Sequence, residues 1–311
     1  MFAALLTACM FAVSAICGHR SSTQIGGIEA NFWRICLATV FLTIWAVCFG
    51  GPIDVASLPY FLLSGFFGIG FGDTAYFQAL PRLGSRRTAL ITQCLTPLFA
   101  ALIEWLWLGT ALTGTEMGCV GIILTGVAIA LAPSDHVKLE PRQWRIGLVA
   151  GSLAALGGAM GVVYSRKGFA VAHAATGAYP DAGTSGYVRV LGGILVPTLL
   201  VLAMKWRSAQ AHGPMWEAAT LKISKDKWRR IWPWVLGNSL AGQTLGVTCM
   251  QLALAHTQAG IVTAITATTP LILLPMTRYL DGETISVRSL TGGLVGVGGV
   301  IGLIWARTKA G

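Results

Sequence analysis

Residues 72–80 read GDTAYFQAL, and residues 246–254 read GVTCMQLAL; Gly, Thr, Ala and Leu coincide in register. The likeness extends outward. LTPL at 95–98 matches TTPL at 268–271, and a glycine follows each proline at twelve residues (Gly109, Gly282) and again at twenty-nine (Gly126, Gly299). Upstream, FWRICLA at 32–38 resembles YVRVLGG at 187–193, which sets Arg34 opposite Arg189. The chain therefore reads as one half followed by a copy of itself.

Composition fixes the solvent. Of 311 residues, 54% are hydrophobic and 11% charged, against about 25% charged in soluble proteins. Mean hydropathy is +0.68. Too little charge is present to cover a soluble surface, which leaves a polytopic membrane protein. About 20 apolar residues span the hydrocarbon core as a helix. Ten windows qualify, at 2–18, 30–49, 58–80, 88–108, 115–132, 146–164, 184–204, 231–255, 259–277 and 289–306. The runs are continuous rather than alternating, which excludes a membrane β-barrel. The expected fold is an all-α integral membrane bundle of ten transmembrane helices. The first window lacks the basic residues of a signal peptide, and the repeat requires it as a helix. Glycine is abundant within the windows, as close helix packing in lipid demands; Gly292, Gly293, Gly296, Gly298 and Gly299 form the clearest packing face.

Five helices per copy is an odd number, so the second copy enters the membrane from the opposite side. The expectation is two inverted five-helix repeats, residues 1–133 and 134–311, the architecture of many secondary transporters. A scaffold or sensor has no evident need of inverted duplication, but it remains the competing class.

The windows, their order and these pairs together resemble a ten-helix EamA-type member of the drug/metabolite transporter superfamily. The resemblance rests on Ala79-Leu80 and Ala253-Leu254, Pro97 and Pro270, Gly282-Glu283, and Arg34 and Arg189, and covers essentially the whole chain. Two departures lie in the first half: Gly109-Thr110 replaces the favoured Gly-Glu, and one extra residue separates Ala79 from Pro97. The resemblance implies a transporter, most often an exporter, of small metabolites, amino acids or drugs, driven by protons or a counter-solute, in the cytoplasmic membrane of a bacterium.

Charges at membrane depth cost several kcal/mol and invite functional readings. Asp73 lies inside the third window, and its repeat position is Val247. It is expected to hold a cationic group or a proton, the bland alternative being a hydrogen bond to a neighbouring helix. Arg34 and Arg189 fall about one turn inside their windows; they read as snorkelling anchors or as gates and anion contacts. Glu104, beside Trp105 and Trp107, reads as interfacial. Trp33, Tyr76, Gln78, Gln93, Tyr164, Asn238, Gln243, Gln251, Thr263 and Thr266 are candidates to line a sparsely polar, aromatic cavity. Pro97 and Pro270, expected mid-helix, are hinge candidates with Arg189.

Catalysis finds little support. Gly70-Phe71-Gly72-Asp73 spells the G-x-G-D string of intramembrane aspartyl proteases, whose chemistry needs two carboxylates sharing a proton. Every other aspartate falls in a connection. No metal-binding H-E-x-x-H and no P-loop string occurs. The seven cysteines are irregularly spaced and read as apolar filler, so no cofactor or metal is expected. The formal charge of +10 belongs to short connections, not to a stacking groove for nucleic acid. The connection at 205–230 carries seven Lys and Arg with nearby tryptophans, an expected anchor on anionic lipid headgroups. Sixteen Lys and Arg lie in odd-numbered connections and four in even-numbered connections and tails. The charge rule places both termini outside the cytoplasm; the resemblance implies the reverse.

Overall fold

With no water to accept backbone hydrogen bonds, a chain in lipid must satisfy them within itself, and helices do so segment by segment. The computed structural model describes residues 2–108, 113–131, 140–212, 225–256, 262, 265–280 and 286–310, and among these no strand occurs. The helices are α1 Phe2–Ile25, α2 Gly27–Cys48, α3 Leu58–Gly65, α4 Thr74–Leu83, α5 Ser85–Leu108, α6 Gly114–Leu131 and α7 Pro141–Thr176. They continue as α8 Ala182–Gly193, α9 Leu195–His212, α10 Lys225–Asn238, α11 Val247–His256, α12 Thr269–Leu280 and α13 Val287–Ala310. Among the described residues, four stretches are long and apolar enough to cross a membrane: Phe2–Ile25, Gly27–Cys48, Pro141–Thr176 and Ala182–Arg207.

Two other long runs are interrupted by wider π-helical turns. Phe66–Asp73 joins α3 to α4, and Ser239–Gly246 joins α10 to α11. These segments fall within one residue of each other in the repeat register. A π turn shifts the hydrogen-bond ladder and re-aims side chains; such turns recur at functional sites. Elsewhere the chain reverses sharply. Gly26 (φ +86°) joins α1 to α2 and Gly84 (φ +82°) joins α4 to α5, each in a backbone region that a side chain would strain.

Packing repeats across the halves. A Cβ on Gly126 of α6 would strike the Gly296 backbone of α13, and one on Gly299 of α13 would reach the Ile123 amide of α6 at 2.9 Å. In the repeat register these two contacts are each other's counterpart. The π segments follow the same pattern. Gly68 and Gly72 press against Gly161 and Gly157 of α7, while Gly242 and Gly246 press against Ser14 and Phe11 of α1. Each copy's first helix thus packs on the other copy's broken helix.

Several expectations need correction. Arg34 and Arg189 do not snorkel: they are 4% and 6% exposed. Pro270 is not mid-helix. It is the second residue of α12, after a turn at 267–268, where a missing N–H costs nothing. The carbonyl four residues before it, on Thr266, accepts a hydrogen bond from the Thr269 hydroxyl at 2.6 Å instead. Gly109, Thr110, Thr263, Gly282, Glu283 and residues 213–224 of the basic connection lie outside the described residues, as does the Glu104 side chain.

Candidate functional site

The site starts on α2. Arg34 lies seven residues into this helix, about 10 Å along its axis at 1.5 Å per residue. Its Nη2 donates to Asp73 Oδ2 at 2.7 Å and to Asn31 Oδ1, one turn back, at 2.8 Å. Nη1 reaches Gln243 Oε1 at 3.5 Å. The guanidinium carbon stands 4.8 Å from the centroid of the Phe77 ring, a cation–π contact. Asp73 ends the first π segment and Gln243 lies within the second, so the widened turns aim both toward one arginine. Asn31 is held in turn: its amide donates to the Thr74 hydroxyl at 3.2 Å, and that hydroxyl donates to the Gly70 carbonyl at 2.6 Å.

Arg189 occupies the matching position on α8, with a different set of partners. Its Nη1 donates to Gln251 Oε1 at 2.9 Å. Gln251 is fully buried, and its amide donates to Ser185 Oγ at 3.4 Å. Gln251 takes the repeat position of Phe77, so the second half offers an amide where the first offers a ring. A Cβ on Gly65 would overlap the Arg189 carbonyl, which is why α3 and α8 can cross at this level.

The two arginines meet opposite glycines. A Cβ on Gly242 would lie 3.6 Å from Arg34 Nη1, and one on Gly68 would lie 3.4 Å from Arg189 Nη2. Gly68 and Gly242 are repeat counterparts. Each half's arginine therefore reaches across to the other half's π segment. Between them lies a cavity of about 170 Å³.

Its lining brings together Asp73, Tyr76, Gln93, Arg34, Gln243, Thr266, Pro97 and Arg189 of the predicted residues. Six described candidates lie outside this lining. Trp33 packs edge-on against Trp228, with ring centroids 5.3 Å apart. Tyr164 stacks on Phe67 at 5.6 Å. Asn238 donates to the Ser14 carbonyl at 2.7 Å, and Pro270 is buried in the first turn of α12. Gln251 and Gln78 are likewise outside the lining; Gln251 orients Arg189, and Gln78 accepts from Arg82 at 2.9 Å.

Sequence reasoning missed Asn31 and the hydroxyl stripe Thr92, Thr96 and Thr269. Asn31 stands three residues before Arg34, the spacing at which helix neighbours meet. Thr96 and Thr269 each immediately precede a repeat-matched proline, a signal present in both TPL strings. The apolar wall comes from Phe11, Ile69, Val162 and Met250.

Asp73 pairs with the Arg34 guanidinium, and among the described residues no second carboxylate joins it to form the proton-sharing dyad of an aspartyl protease. No group of three His, Cys, Asp or Glu placed to hold a metal occurs among the described residues.

Comparisons with known proteins agree with this frame. A curated relative, Uncharacterized protein PA1977 of Pseudomonas aeruginosa, is 30% identical over 131 residues, 42% of this chain. The match spans 44% of that relative's length, less than half of it. A solved crystal structure of another protein superposes with a TM-score of 0.61, covering 99% of this chain and 98% of that one at 16% identity, a likeness of fold. The model of the EamA-like transporter family matches residues 1–132 and 145–305. Two matched stretches, covering almost the whole sequence, place this multi-pass membrane protein in the EamA-like transporter family.

Proposed function

We propose that the chain is a ten-span secondary transporter whose halves, residues 1–133 and 134–311, are inverted repeats that rock about the cavity. A small organic solute binds there and is exposed alternately to the two sides. The observation that carries this reading is the reciprocal crossing, Arg34 against Gly242 and Arg189 against Gly68. A binding space walled by both halves changes access when one half tilts against the other.

The end of the bundle reached by the α1 C-terminus is tied by hydrogen bonds onto backbone carbonyls. His19 Nδ1 pairs with the Leu80 carbonyl at 2.9 Å and Arg20 Nη2 donates to Leu280 O at 2.6 Å. These contacts link α1 to α4 and α12, and opening this end would break them. Pro97 in α5, beside the cavity, supplies a point of bending because it leaves the α-helical ladder one bond short.

The direction we favour is export from a bacterial cytoplasm across the inner membrane, driven by protons or a counter-solute. The charge distribution orients the basic, odd-numbered connections toward the cytoplasm and their anionic lipids. The test is flux into proteoliposomes loaded with counter-solute or bearing a pH gradient. Solute-dependent, saturable flux supports transport; its absence across solutes that bind would instead favour a sensor. Impermeant labelling of single cysteines at 222 and 227 reads the orientation, and labelling only from outside the cell would reverse it.

A further inference from the structure

Arg189 is more than nine-tenths buried and lines the cavity. Among the described residues no carboxylate lies within ion-pair distance of it. Its one side-chain hydrogen bond goes to a neutral amide, and its Nε, also buried, has no acceptor. Arg34 differs, since Asp73 neutralises it at 2.7 Å. The cavity walls therefore carry two guanidinium charges and one carboxylate. A buried cation without a counter-ion is costly, and an anion placed beside it recovers much of that cost.

We propose that the transported solute carries a carboxylate, and that this carboxylate docks on Arg189. The inference rests on the reading of the cavity as the solute site. One residual positive charge matches one carboxylate; a dianionic phosphate would leave the space negative. A guanidinium presents two N–H groups in the plane that a carboxylate accepts. Gln251 and Ser185 fix its orientation from behind. The volume, about 170 Å³, compares with the roughly 150 Å³ engineered cavity that admits benzene. The solute is thus about the size of benzoate, its body against Ile69, Val162 and Met250.

Val247 shows what the second half lacks. It lines the cavity at the head of α11, at the repeat position of Asp73. A carboxylate there would give Arg189 the internal counter-ion that Arg34 already has, and would compete with the solute.

The test compares matched pairs on the full-length protein in detergent: benzoate with benzamide, L-phenylalanine with L-phenylalaninamide, and methyl phosphate alongside. Binding is followed by thermal shift and calorimetry, and flux of each bound probe is measured in liposomes. At least one carboxylate should bind at least about tenfold more tightly than its amide, the scale of a charge-assisted hydrogen bond. Arg189→Gln should reduce that preference to about twofold or less, Arg189→Lys should retain part of it, and Val247→Asp should weaken carboxylate binding about tenfold.

Equal binding of amides and carboxylates, preference for methyl phosphate, or no carboxylate bound at millimolar concentration overturns the proposal. The wild-type panel decides this even if a variant fails to fold. Flux of neutral or cationic solutes indifferent to Arg189→Gln would leave transport standing and remove the carboxylate. Carboxylate binding on Arg189 without flux of any probe would do the opposite.

Discussion

The Arg34–Asp73 pair permits a quantitative test of what holds the two broken helices to α2. Arg34 is 4% exposed, while the Asp73 side chain keeps 29% of its surface. Removing one partner of a fully buried ion pair costs about 3–5 kcal/mol, because the remaining charge is stranded. Asp73 is partly accessible, and Arg34 keeps Asn31 and the Phe77 ring, so Asp73→Ala should cost about 3 kcal/mol, the low end. Asp73→Asn preserves a neutral acceptor; charge-assisted hydrogen bonds are about twice as strong as neutral ones, so about 1–2 kcal/mol should be lost. Arg34→Gln should cost a similar amount, and the double variant less than the sum of the two. A double-mutant cycle of Asp73→Asn and Arg34→Gln, read from denaturant unfolding in detergent, should give a coupling of about 1–2 kcal/mol. A coupling below about 0.5 kcal/mol would mean that the pair is incidental, and that glycine-mediated crossing alone fixes α2 against the π segments. The charge argument adds a second readout. Asp73→Asn leaves two uncompensated guanidinium groups, so affinity should shift toward dianions, a result that lost packing alone does not produce.

Three further perturbations have defined outcomes. Asp181 caps α8 outside the membrane span: burial would raise its carboxyl, but hydrogen bonds from the Thr184 amide and hydroxyl, the Trp45 indole and the Gly183 amide outweigh this and hold it below the usual carboxylate range. A depressed value means that its stabilisation is present above the unfolded value of about 3.9 and is lost as pH falls through the lower, folded one; Asp181→Ala should cost about 1 kcal/mol at neutral pH and remove that acid slope from the melting profile. Gly65→Ala should destabilise by about 1–3 kcal/mol or more, since the new methyl overlaps the Arg189 carbonyl, whereas Gly118→Ala, with nothing within 4 Å, should be neutral or slightly stabilising in the same melts. Gln251→Leu should leave Arg189 without its acceptor, lowering stability by about 1–3 kcal/mol and weakening carboxylate binding, while Gln251→Glu should abolish that binding by neutralising Arg189.

The apolar windows and the repeat were legible because hydropathy and self-similarity are properties of sequence alone. The depth of the arginines was not. Hydropathy starts the second window at residue 30, as though Glu29 were loop, yet α2 begins at Gly27 and both Glu29 and Asn31 are buried. Polar residues that satisfy one another inside the bundle look, to a hydropathy count, like the end of the membrane. The π segments were equally hidden, since side-chain pattern does not report which carbonyl an amide chooses; only the glycines at 68, 70 and 72 hinted at an unusual turn. Trp33 failed for a simpler reason. It precedes Arg34 by a single helical step, a rotation of about 100°, so it faces Trp228 while Arg34 faces the cavity.

The repeat also separates two kinds of residue in the site. Where the halves agree, as at Gly68 and Gly242, Gly126 and Gly299, or Thr96-Pro97 and Thr269-Pro270, the shared feature is a close crossing or a helical proline with a hydroxyl before it. These act on backbone, and a mechanism that exchanges the roles of the two halves needs them in both. Where the halves differ, as at Asp73 and Val247, Phe77 and Gln251, or Ile69 and Gln243, the difference is charge or hydrogen-bonding capacity at or beside the cavity. A bound solute is not two-fold symmetric, so a site that holds one end of it by charge must break the symmetry of its frame. On the transport reading, exchanging the asymmetric residues should alter which solute is held, while altering a symmetric glycine should slow every solute alike. That distinction can be measured as a change in selectivity ratio against a uniform loss of flux.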